Sequence, residues 1–283
     1  MTDTGLAYGK TSGGVTEAYG EGKGMVIGST LPGDTWWICW RELKRLWGQK
    51  IRIFMTLIQP LIWLALMGNM FQRIAAIPGF PARSYLDYMA PGIVTMVTLF
   101  GGIFGGMGIV WDRRLGYLQK LLAAPISRTA VVTGKMLAIA VQTAFQALVI
   151  FALALAMGVR FAAGVAGVPM LLLLAVLLSQ VFAGISLCLG AVLTSHEALM
   201  AVVNFLTMPL MFTSNAMMPL DMMPSWLARL AVLNPLSYAI NPMRTLFLSG
   251  WDWAGLARGL VVLALSGLLM TVAASSLFRR SMA

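Results

Sequence analysis

Apolar side chains along this chain gather into long unbroken runs rather than into stripes. About 20 mostly apolar residues are what an α-helix needs to cross the roughly 30 Å hydrocarbon core of a bilayer. Six such runs stand out, at about residues 53–74, 89–110, 137–159, 168–193, 199–218 and 256–278. None alternates with a period of two, as the strands of a membrane barrel do. A helix also satisfies its own backbone hydrogen bonds, which lipid cannot do. The pattern predicts an all-α integral membrane protein with six transmembrane helices.

Two segments break the pattern. In residues 34–52, Trp36, Trp40, Leu43, Trp47 and Ile51 share one helical face, and Arg41, Arg45 and Arg52 the opposite one. This predicts an N-terminal interfacial helix, its tryptophans partly sunk and its arginines facing phosphates. An amphipathic helix packed on protein is the alternative. Residues 219–255 form a second such segment, with Pro219, Pro224, Trp226, Pro235, Tyr238, Pro242, Trp251 and Trp253. It is too apolar for a solvated loop, and its prolines cut it into pieces too short to span. A re-entrant outer segment between spans five and six is expected, with Trp and Tyr at headgroup level. Residues 1–33 hold nine glycines and no apolar core of a signal peptide, and are expected to be a flexible cytoplasmic tail. Residues 34–283 are then expected to form one six-span membrane domain. The two halves of the six runs do not match in loop lengths or motifs, so an inverted repeat gains no support.

Composition agrees. Of 283 residues 59 % are hydrophobic and 11 % charged, where soluble domains carry about 45–50 % and about 25 %. The mean hydropathy is +0.83. A soluble enzyme with one apolar core is excluded. The net charge of +10 would suggest nucleic acid in a soluble protein, but here the bases flank apolar runs and read as orientation signals for a membrane. The segment before the first run, the loop between runs two and three and the C-terminus together hold fourteen Lys and Arg; the other face holds six. The positive-inside rule puts both termini in the cytoplasm of a multi-pass cell-membrane protein, with lipid and not nucleic acid as its partner.

Candidate chemistry is sparse. Gly9-Lys10-Thr11 mimics the end of a P-loop, but Thr4 stands where the first glycine belongs. No ATPase activity is expected of this chain, and no cofactor or metal: His196 has no second ligand at helical spacing, and Cys39 and Cys188 show no metal-ligand spacing and are not expected to pair. His196 and Glu197 read as a short polar turn. In the second run, Gly101 with Gly105 and Gly102 with Gly106 form two small-xxx-small pairs that let helices approach closely. With Asn204 in the fifth run, they are the candidates for helix packing and a translocation path.

The connection at residues 111–136 is the most informative. Leu115, Leu118 and Leu122 share a helical face, Lys120 and Arg128 add positive charge, and Pro125 ends the helix. A short basic amphipathic helix held below a span suits docking of a cytoplasmic partner; an orientation signal lying on lipid is the alternative. Gly116 marks either a close backbone approach or the bend out of the second span.

Here the chain resembles the membrane subunits of type-two ATP-binding-cassette exporters, the drug and polysaccharide permeases. Tyr85-Leu86-Asp87-Tyr88-Met89-Ala90-Pro91-Gly92 opens the second run as in that family. Asp112-Arg113 with Gly116, the stretch Leu121-Leu122-Ala123-Ala124-Pro125-Ile126-Ser127-Arg128, and Gly134-Lys135 are similar to its coupling loop. Pro219-Leu220, Met223-Pro224-Ser225-Trp226, Leu233-Asn234-Pro235-Leu236-Ser237-Tyr238 and Arg244 are similar to its outer loop. The resemblance implies a homo- or heterodimeric permease paired with two copies of a separate ABC ATPase subunit, which binds ATP and Mg. Leu115, Gly116, Leu118, Lys120, Leu122 and Arg128 would couple to that subunit, and Pro224, Trp226, Asn234, Pro235 and Tyr238 would build the outer segment. The implied cargo is an amphiphilic drug-like or lipid-like molecule exported in a daunorubicin-resistance-like manner, with lipid-linked saccharide as the alternative.

Overall fold

The computed structural model describes residues 31–77, 79–117, 126–193, 195–216 and 218–281. Among these the regular structure is helical, with no strand. The helices are α1 (Leu31–Trp47), α2 (Lys50–Met70), α3 (Tyr85–Gly106), α4 (Gly108–Arg114), α5 (Arg128–Ala156), α6 (Gly167–Val192), α7 (His196–Phe212), α8 (Ser225–Leu233), α9 (Pro235–Leu248) and α10 (Trp253–Ser281). Short 3₁₀ turns at Gln72–Ala76 and Leu220–Met222 complete the set.

Local chemistry starts four of these helices. Ser84, Ser127, Ser195 and Asn234 each accept a hydrogen bond from a backbone N–H of the first turn, of Leu86, Ala130, Ala198 and Leu236 respectively. Such caps satisfy donors that have no partner inside the helix and are worth about 1 kcal/mol. Pro235 follows its cap at the first helical position, where its missing N–H costs nothing.

Among the described residues, five segments are long and apolar enough to cross a membrane: Ile53–Met70, Tyr85–Arg114, Arg128–Ala156, Gly167–Val192 and Trp253–Arg279. The fifth expected span differs. α7 has 17 residues, about 25 Å at 1.5 Å per residue, and ends at Phe212 rather than near Met218. Pro209 lies in its last turn, and residues 213–216 turn away. In the outer segment, α8 and α9 have 9 and 14 residues, too short to cross.

Other boundaries also move. The expected helix over 34–52 is two elements. α1 begins at Leu31, inside the segment expected to be a flexible tail, and ends at Trp47. Gly48 and Gln49 close a tight turn on the carbonyls of Lys44 and Leu46, and Ile51 and Arg52 belong to α2. Glycine is a poor helix interior, so the break falls there. The second run also breaks, at Met107, between α3 and α4.

α3 is the hub, with 78 % of its span buried inside the molecule, against 61 % for α6, 44 % for α5, 22 % for α10 and 11 % for α2. It packs on α2, α5, α6 and α9, while α10 lies along α6 and α1 along α5. α7 barely touches its neighbours. α2 is therefore the least buried of the spanning segments, and α7 is held by few contacts with its neighbours.

Candidate functional site

The bundle's charged residues meet at one end. Lys135, about two turns into α5, is buried, as is Asp112 in α4. Its Nζ donates to Asp112 Oδ2 at 2.5 Å and to Glu42 Oε1 of α1 at 2.8 Å. Arg45 donates to Asp112 Oδ1 at 2.9 Å, and Arg41 reaches Asp112 at 3.5 Å and pairs with Glu42. The Arg41 guanidinium also stacks 4.4 Å above the Tyr117 ring. Burial alone would raise the Glu42 carboxyl, but the Lys135 ammonium and the Arg41 guanidinium outweigh it and hold it at about 2. Desolvating an ion costs several kcal/mol, so buried charges persist only in paired clusters of this kind.

This corrects the expected orientation of α1. Arg41 and Arg45 point to carboxylates of the protein rather than to phosphates, because Asp112, buried on α4, and the half-buried Glu42 of α1 itself need counter-charges. Ile38 and Cys39 are buried on the same side, and a Cβ on Gly134 of α5 would stand 2.7 Å from Ile38 and 2.8 Å from the Thr35 carbonyl. The hydroxyls of Thr35 and Thr133 are hydrogen-bonded at 3.1 Å. Trp36, Trp37, Trp40 and Trp47 remain exposed.

Above this cluster opens a cavity of about 590 Å³ between α2, α3, α5 and α7. Trp63, Phe100, Phe104, Ile139, Met200 and Met211 make its apolar wall, and Thr56, Gln59, Gln142, Gln146 and Asn204 its polar one. Glu42, Arg45 and Lys135 line the charged end. Gln146 donates to Thr56 at 3.1 Å, tying α5 to α2. Gln146 Oε1 and Thr143 Oγ1 have no protein partner and crowd Gly101, where a Cβ would stand 3.0 and 3.1 Å from them.

The glycine pairs serve the packing. A Cβ on Gly102 would meet the Ser179 carbonyl of α6 at 2.6 Å, one on Gly105 the Ile139 side chain at 2.6 Å, and one on Gly106 Ser186 at 2.6 Å. Gly101 and Gly105 face α5 and the cavity, while Gly102 and Gly106 face α6. Asn204 reaches the cavity wall from α7.

The residues of the connection are less gathered. Leu115 is exposed after α4, and Gly116 has φ +66° with open space around it. That left-handed backbone makes Gly116 the bend out of α4 rather than a point of close approach. Leu118, Lys120 and Leu122 lie outside the described residues. Arg128 opens α5 and donates to the Arg279 carbonyl at 3.1 Å. Arg114 pairs with Glu197 at 3.1 Å, joining α4 to the start of α7.

At the opposite end, Asn234 is buried and donates to the Leu210 carbonyl at 2.7 Å and the Thr213 hydroxyl at 3.0 Å. Pro224 precedes α8, Trp226 is exposed, and Tyr238 is half-buried. Arg244 of α9 lies 3.8 Å over the Tyr88 ring and donates to the carbonyls of Asn215 and Ala216 at 2.7 and 3.3 Å. It thereby fixes the turn after α7 against α3.

Sequence reasoning named Arg244 only through the outer-loop resemblance and did not single out Glu42 or Gln146. The available signal was scarcity: with only 10 acids in 283 residues, one in an amphipathic helix and one beside an apolar run invite pairing with a nearby base. Cys39 and Cys188 are both free.

Residues 33–248 match the model of the ABC-2 type transporter family. The ycf38 transport permease of Cyanophora paradoxa is 34 % identical over 210 residues, covering 73 % of this chain and 70 % of that protein. The ycf38 protein of Porphyra purpurea is 31 % identical over 75 % of this chain and 73 % of its own length. The daunorubicin resistance ABC transporter permease protein DrrB1 of Streptomyces coeruleorubidus is 23 % identical over 83 % of this chain and 81 % of its own. With three quarters of its length inside the family model and several apolar helices able to span a bilayer, this chain belongs to the ABC-2 type transporter family.

Proposed function

We propose that the chain is the transmembrane subunit of an ATP-driven exporter that moves an amphiphilic drug-like or lipid-like molecule out of the cytoplasm. In this reading α7, continued by the turn at 213–216, serves as the fifth of six spans. The basic α1 end faces the cytoplasm and both termini lie there. The membrane domain begins at α1, which lies in the headgroup layer with Trp36, Trp37 and Trp40 turned to lipid. The segment at 219–255 re-enters from outside. The permease does no chemistry itself. A second permease subunit covers the apolar faces of α2 and α7, and two copies of a separate ABC ATPase subunit bind ATP and Mg and dock on the connection between α4 and α5.

The observation that carries this reading is the cavity. It is apolar along most of its wall, polar at one side and charged at its basic end, which suits a molecule with an apolar body and a polar head. Its walls are unequal: α3 and α5 belong to the packed block, while α2 and α7 are held loosely. A cavity between a fixed wall and two loosely held helices can change access without unfolding the core.

The test is coexpression with a candidate ABC ATPase subunit, followed by co-purification and ATP-dependent daunorubicin uptake into inverted vesicles. Leu118→Asp and Leu122→Asp should weaken docking at least tenfold, because burying a leucine is worth roughly 1.5–3 kcal/mol and about 1.4 kcal/mol is tenfold. If both variants insert normally, keep the ATPase bound and still export, the connection is not where the ATPase docks. Reporter fusions after Ala76 and Trp253 should read outside, and one after Ala283 inside; an outside C-terminus refutes the orientation.

A further inference from the structure

The charge cluster joins three elements that sequence keeps far apart. Asp112 stands three residues before Leu115, on the α4 side of the connection, and Lys135 stands on the α5 side. Glu42, Arg41 and Arg45 all lie on α1. Lys135 bonds to both acids, at 2.5 and 2.8 Å, and Arg41 adds the stack on Tyr117, at the start of the connection itself. Both ends of the α4–α5 connection are thus bonded to one helix that is not part of it.

After Trp47 the chain turns at Gly48 and Gln49 and enters α2, which is the least buried of the spanning segments. The packing of α1 on α5 is close: Gly134 leaves no room for a Cβ against Ile38 and Thr35. By contrast, α1 touches α2 little beyond the turn. α1 is built onto the connection and hinged to the first span.

We propose that Glu42, Asp112 and Lys135 form a charge latch that makes α1 and the two ends of the α4–α5 connection one rigid body, so that a push on the connection swings α2 about the Gly48–Gln49 turn. These are positioning residues, which act through α2 on the cavity wall at Thr56, Gln59 and Trp63. The latch is intrinsic to this chain; its use in transport rests on the exporter reading above.

The stoichiometry supports a latch more than a simple plug. Two acids meet three bases, so removing the Glu42 charge still leaves Lys135 and Arg45 paired with Asp112 and leaves no acid unpaired. Glu42→Gln therefore releases α1 from Lys135 while Asp112 keeps the buried ammonium compensated. The Thr35–Thr133 pair supplies an independent handle, since hydroxyl oxygens 3.1 Å apart place two cysteines within reach of a disulfide, whose S–S length is about 2.05 Å.

The experiment has two arms in a Cys39→Ala, Cys188→Ala background. The first uses the chain alone in lipid nanodiscs and measures the rate of oxidative cross-linking between Thr35→Cys and Thr133→Cys. Glu42→Gln should slow it at least threefold; an unchanged rate overturns the latch. The second uses the complex with its ATPase and follows ATP-dependent daunorubicin uptake into inverted vesicles. Glu42→Gln should lower uptake at least tenfold, and the Thr35–Thr133 cross-link should restore it to within twofold of the unmutated protein, reversibly with dithiothreitol. A role in stability alone would not be rescued by oxidation and undone by reduction. If the cross-link in the otherwise unmutated complex blocks uptake, α1 must slide on α5 and the rigid-body role is wrong. Absence of uptake by the unmutated complex refutes the exporter reading for this drug, while the first arm still decides the latch.

Discussion

Alanine at Gly102 and at Gly105 of α3 should separate packing against backbone from packing against side chains. Each substitution gains about 0.8–1 kcal/mol of helix propensity, so the sign of the net effect depends on what the new methyl meets. At Gly102 it meets the Ser179 carbonyl oxygen at 2.6 Å and the Ala183 nitrogen at 3.2 Å. Both are backbone atoms of α6, which cannot rotate away. Ordinary contact begins near 3.4 Å, so α3 and α6 must part by about 0.8 Å along their crossing. Overpacking of this kind costs typically about 1–3 kcal/mol, and the separation also weakens the Ser186 hydroxyl bond to the Ile103 carbonyl at 2.7 Å. Gly102→Ala should therefore be a net loss of about 1–2 kcal/mol. At Gly105 the methyl meets only Ile139 side-chain carbons, at 2.6 and 2.9 Å. An adjusted rotamer costs about 0.5–1.5 kcal/mol, which the propensity gain nearly offsets. Thermal unfolding of the purified variants in lipid–detergent micelles should rank Gly102→Ala clearly below Gly105→Ala, with Gly105→Ala close to the unmutated protein. Equal stability of the two, or the reverse order, would refute the claim that α3 approaches the α6 backbone this closely.

Three further outcomes are expected. Lys135→Met leaves two buried carboxylates short of their shared cation and should cost about 3–5 kcal/mol, seen as a collapse in folded yield that Lys135→Arg partly avoids. Glu42 is held at about 2 against an ordinary 4.5, so its contribution is fully present above pH 4.5 and is lost as pH falls toward 2; docking of α1, followed by limited proteolysis, should be flat from pH 5 to 7, and a midpoint near pH 6 would contradict the pairing with Lys135 and Arg41. Replacing Trp36, Trp40 and Trp47 together with Asp should cost several kcal/mol of membrane assembly if each insertion costs about 1–3, and unchanged assembly would show that this face does not meet lipid.

Much of the fold is legible in the chain because it is local. Continuous apolar runs define α2, α3, α5, α6 and α10, and Ser84 and Ser195 cap helices within about five residues of where two of the runs begin. The glycine spacing in α3 marks a helix that neighbours approach closely, and two small-xxx-small pairs one residue apart already place it between two partners. Which pair meets which partner was not legible: Gly102 and Gly106 against α6, Gly101 and Gly105 against α5. A helical wheel gives directions around an axis and not what stands there. The same limit applies to α1, where the faces are correct but the arginine side meets protein.

The site follows the same division. Asn204, Gly101 and Gly105, which line the cavity, could be singled out from sequence alone, because an isolated polar group and repeated small residues are conspicuous in an apolar run. Glu42 and Lys135 are 93 positions apart, and no periodicity links them. Sequence by itself determined that this chain is helical, that it is built for a bilayer, and that its basic residues crowd to one side, since hydrophobic length and charge count are properties of segments. Tertiary structure decided that α3 is the hub, that α2 and α7 are left loosely held beside a cavity, and that α1 is bonded to the α4–α5 connection. Those are outcomes of which buried charge finds a counter-charge and which backbone finds a glycine, and both are settled only when distant segments compete for the same contact.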